Sequence, residues 1–130
     1  MIYLDTSALV KLVFEEHETA ALGDWLARRA DLAMVSSELA TVELMRVCRR
    51  RDAGAVDVAR QLLASIDVVP MTTDVLLHAA TVGPPELRSL DAIHLASALS
   101  VGDDVTSLIA YDERLRMAAE DAGLAVAAPV

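Results

Sequence analysis

Short apolar runs alternate along the chain with longer segments in which apolar residues recur at helical spacing. The first run, Ile2–Leu4, predicts a buried strand, and the following Asp5, Thr6 and Ser7 are residue types that cap helices. Later runs predict four more strands, at Leu32–Val35, Val68–Met71, Leu108–Ala110 and Leu124–Ala127. The intervening segments predict seven helices, with ends marked by capping serines or terminating glycines at Ser36, Ser37, Gly54, Ser89 and Gly123.

This alternation of strands and helices predicts an α/β fold with a short, mostly parallel central sheet. Parallel strands need crossover helices on both faces, so we expect a three-layer α/β/α sandwich. Pro70, near the end of the third strand, predicts that this strand lies at a sheet edge. The length of 130 residues fits one compact domain spanning residues 1–130, and a hydrophobic content of 55% suffices for its core.

The composition excludes several classes of protein. The longest stretches without a charged residue, Val75–Pro85 and Ala92–Gly102, have 11 residues each. A bilayer-crossing helix needs about 18–20, so we expect no membrane span. The single cysteine, Cys48, forms neither an internal disulfide nor a thiolate zinc site, and it suits a reducing compartment. We therefore expect a cytoplasmic protein.

The charge balance limits how the chain could bind a nucleic acid. Eleven basic and 20 acidic residues give a net charge of −9, which argues against a broad cationic surface. The four aromatic residues are too few for a base-stacking platform. We therefore expect any polyanion to be bound locally.

Four carboxylates occupy positions that topology could bring together. Asp5 and Asp112 follow predicted strands, and the carboxyl ends of parallel strands line ligand crevices. Glu43 borders the buried stripe of the third helix, and Asp91 lies in the first turn of the sixth. Two unit charges about 4–5 Å apart repel by roughly 3–4 kcal/mol at an effective dielectric near 20, so a converged quartet needs protons or a cation. Oxygen donors favour Mg²⁺ or Mn²⁺ over zinc.

Simpler interpretations of the same acids remain open. Asp5, Asp91 and Asp112 each stand near a predicted helix N-terminus, where an acid stabilises the helix by roughly 0.3–1 kcal/mol. Glu43 could be a solvated helix residue. Capping and metal binding are compatible, because a carboxylate has two oxygens.

The segments around these acids resemble the four acidic motifs of PIN-domain ribonucleases, and most nearly those of VapC-type toxins from bacterial toxin–antitoxin pairs. The resemblance covers nearly the whole chain, and its four segments are Met1–Ala8, Ser37–Arg46, Leu87–Ala96 and Tyr111–Leu115. It implies a PIN-like fold and a Mg²⁺-dependent endoribonuclease that cuts RNA, commonly tRNA or rRNA. It also implies a cognate antitoxin as partner and a homodimer.

The resemblance also implies site residues. Asp5, Glu43, Asp91 and Asp112 match the catalytic, metal-binding quartet, with Asp5 and Asp91 as the firmest ligands. The chain has Ala110 where many members have Ser or Thr, so a hydroxyl contact near Asp112 is missing. Thr6 and Ser7 are candidates for supporting hydroxyls.

Basic residues and His94 have competing interpretations. Arg46, one turn after Glu43, could pair with that acid or bind an RNA phosphate. Arg88, beside Asp91, could likewise pair with Asp91 or bind an RNA phosphate. The remaining arginines of the third helix complement its dipole. His94, between two apolar residues, is interpreted as a hydrogen-bonded packing residue outside the site.

Two alternative functions remain. A phospho-accepting receiver domain fits the length and fold class, but receiver domains resemble one another in an acidic pair and a late lysine. Here Asp5 stands alone and Lys11 is the only lysine. A PIN-like module that binds RNA or protein without cutting is the other alternative.

The apolar helices Thr19–Arg29 and Val56–Ile66 offer surfaces for an antitoxin segment or a second copy.

Overall fold

A computed structural model describes residues 1–130 as five strands alternating with seven α-helices. The strands are β1 (Ile2–Leu4), β2 (Met34–Ser37), β3 (Asp67–Val69), β4 (Ser107–Ile109) and β5 (Val126–Ala127). The helices are α1 (Thr6–Val13), α2 (Thr19–Ala27), α3 (Leu39–Arg51), α4 (Val56–Ala64), α5 (Thr73–Ala79), α6 (Ser89–Val101) and α7 (Glu113–Asp121). None of the helices combines the length and apolarity that a bilayer crossing requires.

All strands pair in parallel, in the order β3-β2-β1-β4-β5. The edge position of β3 confirms the expectation drawn from Pro70. Strand β1 lies at the centre, with Tyr3 in register with Val35 on one side and Leu108 on the other. The chain winds outward in opposite directions from β1, so the carboxyl end of this strand is the switch point where open α/β sheets bind ligands.

Helices cover both faces of the sheet, which confirms the three-layer sandwich. Successive side chains of a strand point to opposite faces. Ile2 and Leu4 accordingly pack in a core with residues of α1 to α4. Tyr3 and Leu108 pack in a second core with residues of α6 and α7. Strands β1 and β4 are therefore packed between helices on both faces of the sheet.

The start of α3 differs from its sequence prediction. Ser36 and Ser37, expected to cap α3, are the last residues of β2 and pair with β3. The Ser36 hydroxyl donates to the Leu4 carbonyl at 2.6 Å, which ties β2 to β1. Ser37 Oγ accepts from the backbone N–H of Leu39 at 3.1 Å. Strand pairing and a cross-strand hydrogen bond thus outweigh the local preference of serine for helix caps.

Two other predicted helix ends are displaced. Ser89 is the first residue of α6 rather than its cap, and Arg88 occupies the N-cap position. Helix α3 ends at Arg51, before Gly54. The Asp52 side chain accepts from the Gly54 N–H at 2.9 Å and stabilises a 3₁₀ turn there, which competes with helix continuation.

Candidate active site

Asp5 is a buried carboxylate at the carboxyl end of β1, with 4% of the residue exposed. Its Oδ1 accepts hydrogen bonds from the Ala8 N–H at 2.9 Å and from the Ser7 hydroxyl at 2.6 Å, so it caps α1. No hydrogen bond reaches Oδ2. Burial raises the pKa of Asp5, these two hydrogen bonds offset part of the rise, and the nearby charge of Asp91 adds to it. The ionised form is therefore costly in this position, although nearby His94 also lowers the pKa in part.

Glu43 projects from α3 towards the same edge of the sheet. Its Oε1 accepts from the Thr6 hydroxyl at 2.6 Å and lies 2.8 Å from His94 Nε2. Burial by itself would raise the pKa of Glu43, but the hydrogen bonds from His94 and Thr6 outweigh it and lower the pKa below its usual value. Glu43 is thus held ionised with Oε2 free of hydrogen bonds.

His94 orients Glu43 from α6. The imidazole is buried, with 2% of the residue exposed, and its Nδ1 lies 2.9 Å from the Tyr3 hydroxyl. Burial raises the pKa of Tyr3, so this hydroxyl keeps its proton as a donor. A neutral imidazole satisfies the contacts with Tyr3 and Glu43 when Tyr3 donates to Nδ1 and Nε2–H donates to Glu43; Nε2 also lies 3.1 Å from Thr6 Oγ1.

The sequence interpretation of His94 was correct about packing and wrong about its place. It is a buried, hydrogen-bonded residue, but it contacts a candidate site carboxylate directly. The signal that could have revealed this is its spacing, because His94 lies three residues after Asp91 on the same helix face.

Asp91 and Asp112 are joined by one arginine. Asp91 lies in the first turn of α6, and Asp112 caps α7 by accepting from the Leu115 N–H at 3.1 Å through Oδ1. Arg88 Nε lies 3.1 Å from Asp91 Oδ2, and Arg88 Nη2 lies 3.4 Å from Asp112 Oδ2. The pairing interpretation of Arg88 is confirmed, and it extends to a second acid that sequence spacing did not indicate.

Two hydroxyls next to Asp5 link the elements of the site. Ser7 donates to Asp5 and accepts from the Tyr111 N–H at 3.3 Å, which ties α1 to the chain before Asp112. Thr6 donates to Glu43. Both hydroxyls therefore bind candidate acids, and their supporting role stays a prediction. Ser7 also contacts the Tyr111 N–H, directly after Ala110, which supplies no hydroxyl.

The four acids meet at one edge of the sheet without forming a ready-made metal cage. The charge of Asp91 contributes to the raised pKa of Asp5. Arg88 joins Asp91 to Asp112. Thr6 and His94 both bind Glu43. Yet no three carboxylate, imidazole or thiolate groups lie close enough together to hold a metal ion. The all-oxygen donor set suits Mg²⁺ or Mn²⁺ in its chemistry, while its present spacing does not.

Arg46 has no acidic partner. It is exposed on α3, one turn after Glu43, and makes no ion pair with that residue. Together with Arg49 and Arg50 it lines a shallow cleft of about 360 Å³. The pairing of Arg46 with Glu43 is therefore not observed, and its guanidinium faces solvent.

Comparisons with known proteins agree with this architecture. The family model of the PIN domain matches residues 2–121. Ribonuclease VapC47 of Mycobacterium tuberculosis (strain CDC 1551 / Oshkosh) is 43% identical over 132 residues, covering 99% of this chain and 97% of that protein.

Two solved structures share the fold at low sequence identity. The crystal structure of Mycobacterium tuberculosis VapC20, described as a sarcin-ricin loop cleaving toxin, superposes with a TM-score of 0.79 at 19% identity, covering 99% of this chain and 100% of that one. A toxin–antitoxin complex from Klebsiella pneumoniae superposes with a TM-score of 0.69 at 19% identity, covering 100% and 98%. From the family match and the 43% identity to VapC47, this chain belongs to the PIN-domain family, among the ribonucleases of the VapC type.

Proposed function

We propose that this protein is a divalent-metal-dependent endoribonuclease, acting as the toxin of a type II toxin–antitoxin pair and hydrolysing phosphodiester bonds in RNA. The observation that carries the proposal is the buried Asp5 at the switch point of the sheet, with a free oxygen and the charge of Asp91 nearby. A carboxylate so placed is costly to the fold without a cation. A bound cation would offset this cost and make use of the charge.

Mg²⁺ is the proposed ion, with Mn²⁺ as a substitute. Asp5 and Asp91 would hold it, and Glu43 and Asp112 would assist directly or through water. When bound, such an ion activates water and stabilises the charge that develops on the scissile phosphate. Their oxygen donors suit these hard cations, and the nearby buried His94 has both ring nitrogens engaged.

The side chains around the acids act by orientation. Ser7 and the Ala8 N–H fix one oxygen of Asp5, so its other oxygen stays available. His94 and Thr6 do the same for Glu43. No free histidine base is needed in this proposal, because the imidazole of His94 is committed to Tyr3 and Glu43.

Arg46 and Arg88 are the proposed contacts to RNA phosphates. Both residues are exposed; Arg88 contacts Asp91 and Asp112, and Arg46 follows Glu43 by one turn of α3. A planar guanidinium binds a phosphate through two parallel hydrogen bonds. Such local contacts suit a chain of net charge −9, which has no broad basic surface. The substrate class is RNA, with tRNA and rRNA as the expected targets.

A cognate antitoxin and a second copy of the chain are the proposed protein partners. An apolar groove of about 440 Å³ lies between α1, α2 and α4, and its lining includes Leu12, Leu26 and Leu62. An amphipathic helix binds such a groove through its apolar face. This groove lies on the helices in which the sequence predicted partner surfaces.

The experiment is RNA cleavage by purified protein in Mg²⁺, beside Asp5→Asn and Asp91→Asn prepared identically. We expect cleavage by the wild type, its loss in excess EDTA, and loss of at least two orders of magnitude in either variant. Asp24→Asn, which removes an exposed carboxylate of α2, should cleave as the wild type does. Equal cleavage by all four proteins would mean that neither Asp5 nor Asp91 is needed for cleavage and would refute the proposal.

A non-catalytic module is the second candidate, and one observation favours it. The acids are not spaced to hold a metal ion. Under that alternative the protein would bind RNA or a protein partner, take up no divalent ion and leave RNA intact in the same assay.

A further inference from the structure

Arg88 is the only arginine or lysine side chain in contact with the candidate acids. We propose that its guanidinium is the resident counter-cation of the metal-free site, and that a divalent ion must displace it from Asp91 and Asp112 in order to bind. The inference rests on the proposed function, because it describes how the same site is regulated. The bridge concerns Asp91 and Asp112, the two acids that Arg88 contacts.

The geometry is that of a bridge between two elements. Nε pairs with Asp91 at 3.1 Å on α6, and Nη2 reaches Asp112 at 3.4 Å before α7. An ordinary pair at helical spacing would involve Asp91 alone. The contact to Asp112, which is 24 residues away in sequence, makes Arg88 a cross-link within the site. The planar fork of arginine suits two acceptors in this way.

This bridge occupies oxygens that an ion would need. Asp112 Oδ1 already caps α7, and Oδ2 faces Arg88, so neither oxygen of Asp112 is free while the bridge is present. Asp91 keeps only Oδ1 without a hydrogen bond. A divalent ion beside the bound guanidinium would also face a like charge at short range. Arg88 and the ion therefore compete for the same two acids.

Displacement is feasible because Arg88 lies at the surface. Its side chain is 66% exposed, whereas that of Asp91 is 17% exposed. Exposed ion pairs are weak, so a doubly charged ion can replace them at small cost. The released guanidinium would lie at the rim of the site and could bind an RNA phosphate, since the same fork fits carboxylate and phosphate. Ion uptake would thus free an RNA contact.

The test is calorimetric titration of MnCl₂ into the full protein without RNA. We expect Arg88→Gln to bind Mn²⁺ about two- to tenfold more tightly than the wild type, because the bridge no longer competes. Arg114→Gln makes the same charge change at an exposed residue of α7 near Asp112 and should bind as the wild type does. Unchanged or weaker binding by Arg88→Gln would overturn the inference.

Arg88→Lys separates bridging from charge alone. Lysine keeps the positive charge but is a point charge that cannot span both acids. We expect its Mn²⁺ affinity to lie between those of the wild type and Arg88→Gln. An affinity equal to that of the wild type would show that only charge matters and would contradict the displaced bridge.

A double-mutant cycle in EDTA tests the bridge without metal or RNA. Urea unfolding of Arg88→Gln, Asp112→Asn and the double variant should show coupling, with Arg88→Gln costing less stability when Asp112 is already neutral. Additive effects would overturn the inference. Because neither measurement involves cleavage, a protein that shows coupling and Mn²⁺ competition but cuts no RNA would refute only the proposed function. Cleavage without competition would refute only this inference.

Discussion

At the scale of single residues, three of the candidate carboxylates use one oxygen for structural hydrogen bonds, which leaves the other oxygen for a different contact. Asp5 and Asp112 each use Oδ1 to cap a helix, and Glu43 uses Oε1 to bind Thr6 and His94. The simpler interpretation of Asp5 and Asp112 as caps is therefore confirmed. It does not compete with the functional proposal, because the second oxygen of each residue serves a different contact or none.

The burial of Asp5 leads to a prediction about stability. A raised pKa means that ionised Asp5 destabilises the fold fully at any pH above the raised value, and that this cost shrinks as the pH falls below it and is gone near the ordinary value. Asp5→Asn keeps an oxygen for the Ala8 N–H and removes the charge. In EDTA at pH 7 we expect this variant to be more stable than the wild type by about 1–2 kcal/mol, measured by urea unfolding.

Asp24→Asn is the control for Asp5→Asn. It removes an exposed carboxylate on α2 and should change stability by less than about 0.5 kcal/mol. The gain from Asp5→Asn should also shrink as the pH is lowered towards 4. A less stable Asp5→Asn variant at pH 7 would contradict the account of a strained charge.

The four acids could be predicted from sequence because each stands in a short local motif. Asp5 follows a strand, and Asp91 lies in the first turn of an apolar helix, so their placement depends mainly on local structure. The contact of Arg88 with Asp112 and the contacts of His94 with Tyr3 and Glu43 could not be predicted in this way. They join residues of different elements and depend on how the helices pack.

At the scale of elements, an ion-pair cluster around the buried Lys11 links α1, the segment before α2 and the end of α3. Lys11 Nζ lies 3.1 Å from Glu16 Oε1 and 2.9 Å from Glu18 Oε2. Arg51, at the end of α3, binds the other oxygen of Glu16 at 2.9 Å. Lys11 also lies 4.5 Å from the centre of the Tyr111 ring. This cluster anchors the segment between α1 and α2 next to the candidate site.

The cluster predicts a specific loss of stability in acid. Burial by itself would raise the pKa of Glu16, but hydrogen bonds from Lys11 and Arg51 outweigh it and lower the pKa below its ordinary value. A lowered pKa gives stability that is present above the ordinary value and is lost as the pH falls through the folded value. Glu16→Gln should therefore cost about 0.5–1 kcal/mol at pH 7 and converge with the wild type near pH 3.

Thermal unfolding between pH 7 and pH 3 measures this convergence. Glu15→Gln removes the neighbouring exposed carboxylate and should follow the wild-type curve. If Glu16→Gln ran parallel to the wild type throughout, with a constant difference, the ion pairs would contribute nothing that depends on pH.

Periodicity was sufficient to predict the order of strands and helices but not all of their ends. Each predicted strand exists, and helical spacing located every helix between them. The errors occur where a long-range contact competes with a local preference, as in Ser36, whose hydroxyl binds Leu4 across the sheet. Strand β5 is only two residues long, because pairing with β4 rather than apolar length sets its extent.

At the scale of the whole molecule, an acidic protein must bind RNA through few cationic contacts. The net charge is −9, yet Arg46, Arg49 and Arg50 line one cleft on α3, the helix that carries Glu43. This arrangement concentrates positive charge on the helix that carries Glu43. It favours local phosphate contacts rather than a general attraction to nucleic acid.

Arg46→Gln tests the local contact. If Arg46 neutralises one phosphate, its loss should weaken RNA binding and reduce the slope of log K against log salt by about 0.7 for single-stranded RNA. The measurement is fluorescence anisotropy with an RNA oligonucleotide in EDTA, so that no cleavage occurs. Arg60→Gln, on α4 and paired with Asp57, changes the charge equally and should keep the wild-type slope. Identical slopes for both variants would remove Arg46 from the RNA interface.

We propose that carboxylates from distant parts of the chain share a divalent ion at the end of β1. Anomalous diffraction from crystals soaked in MnCl₂ tests it most directly, because manganese scatters anomalously and protein carboxylates do not. We expect a peak bonded to Asp5 and Asp91, with the Arg88 side chain turned away from Asp112. A map without a peak at these residues, from crystals in which the site is open to solvent, would contradict the account.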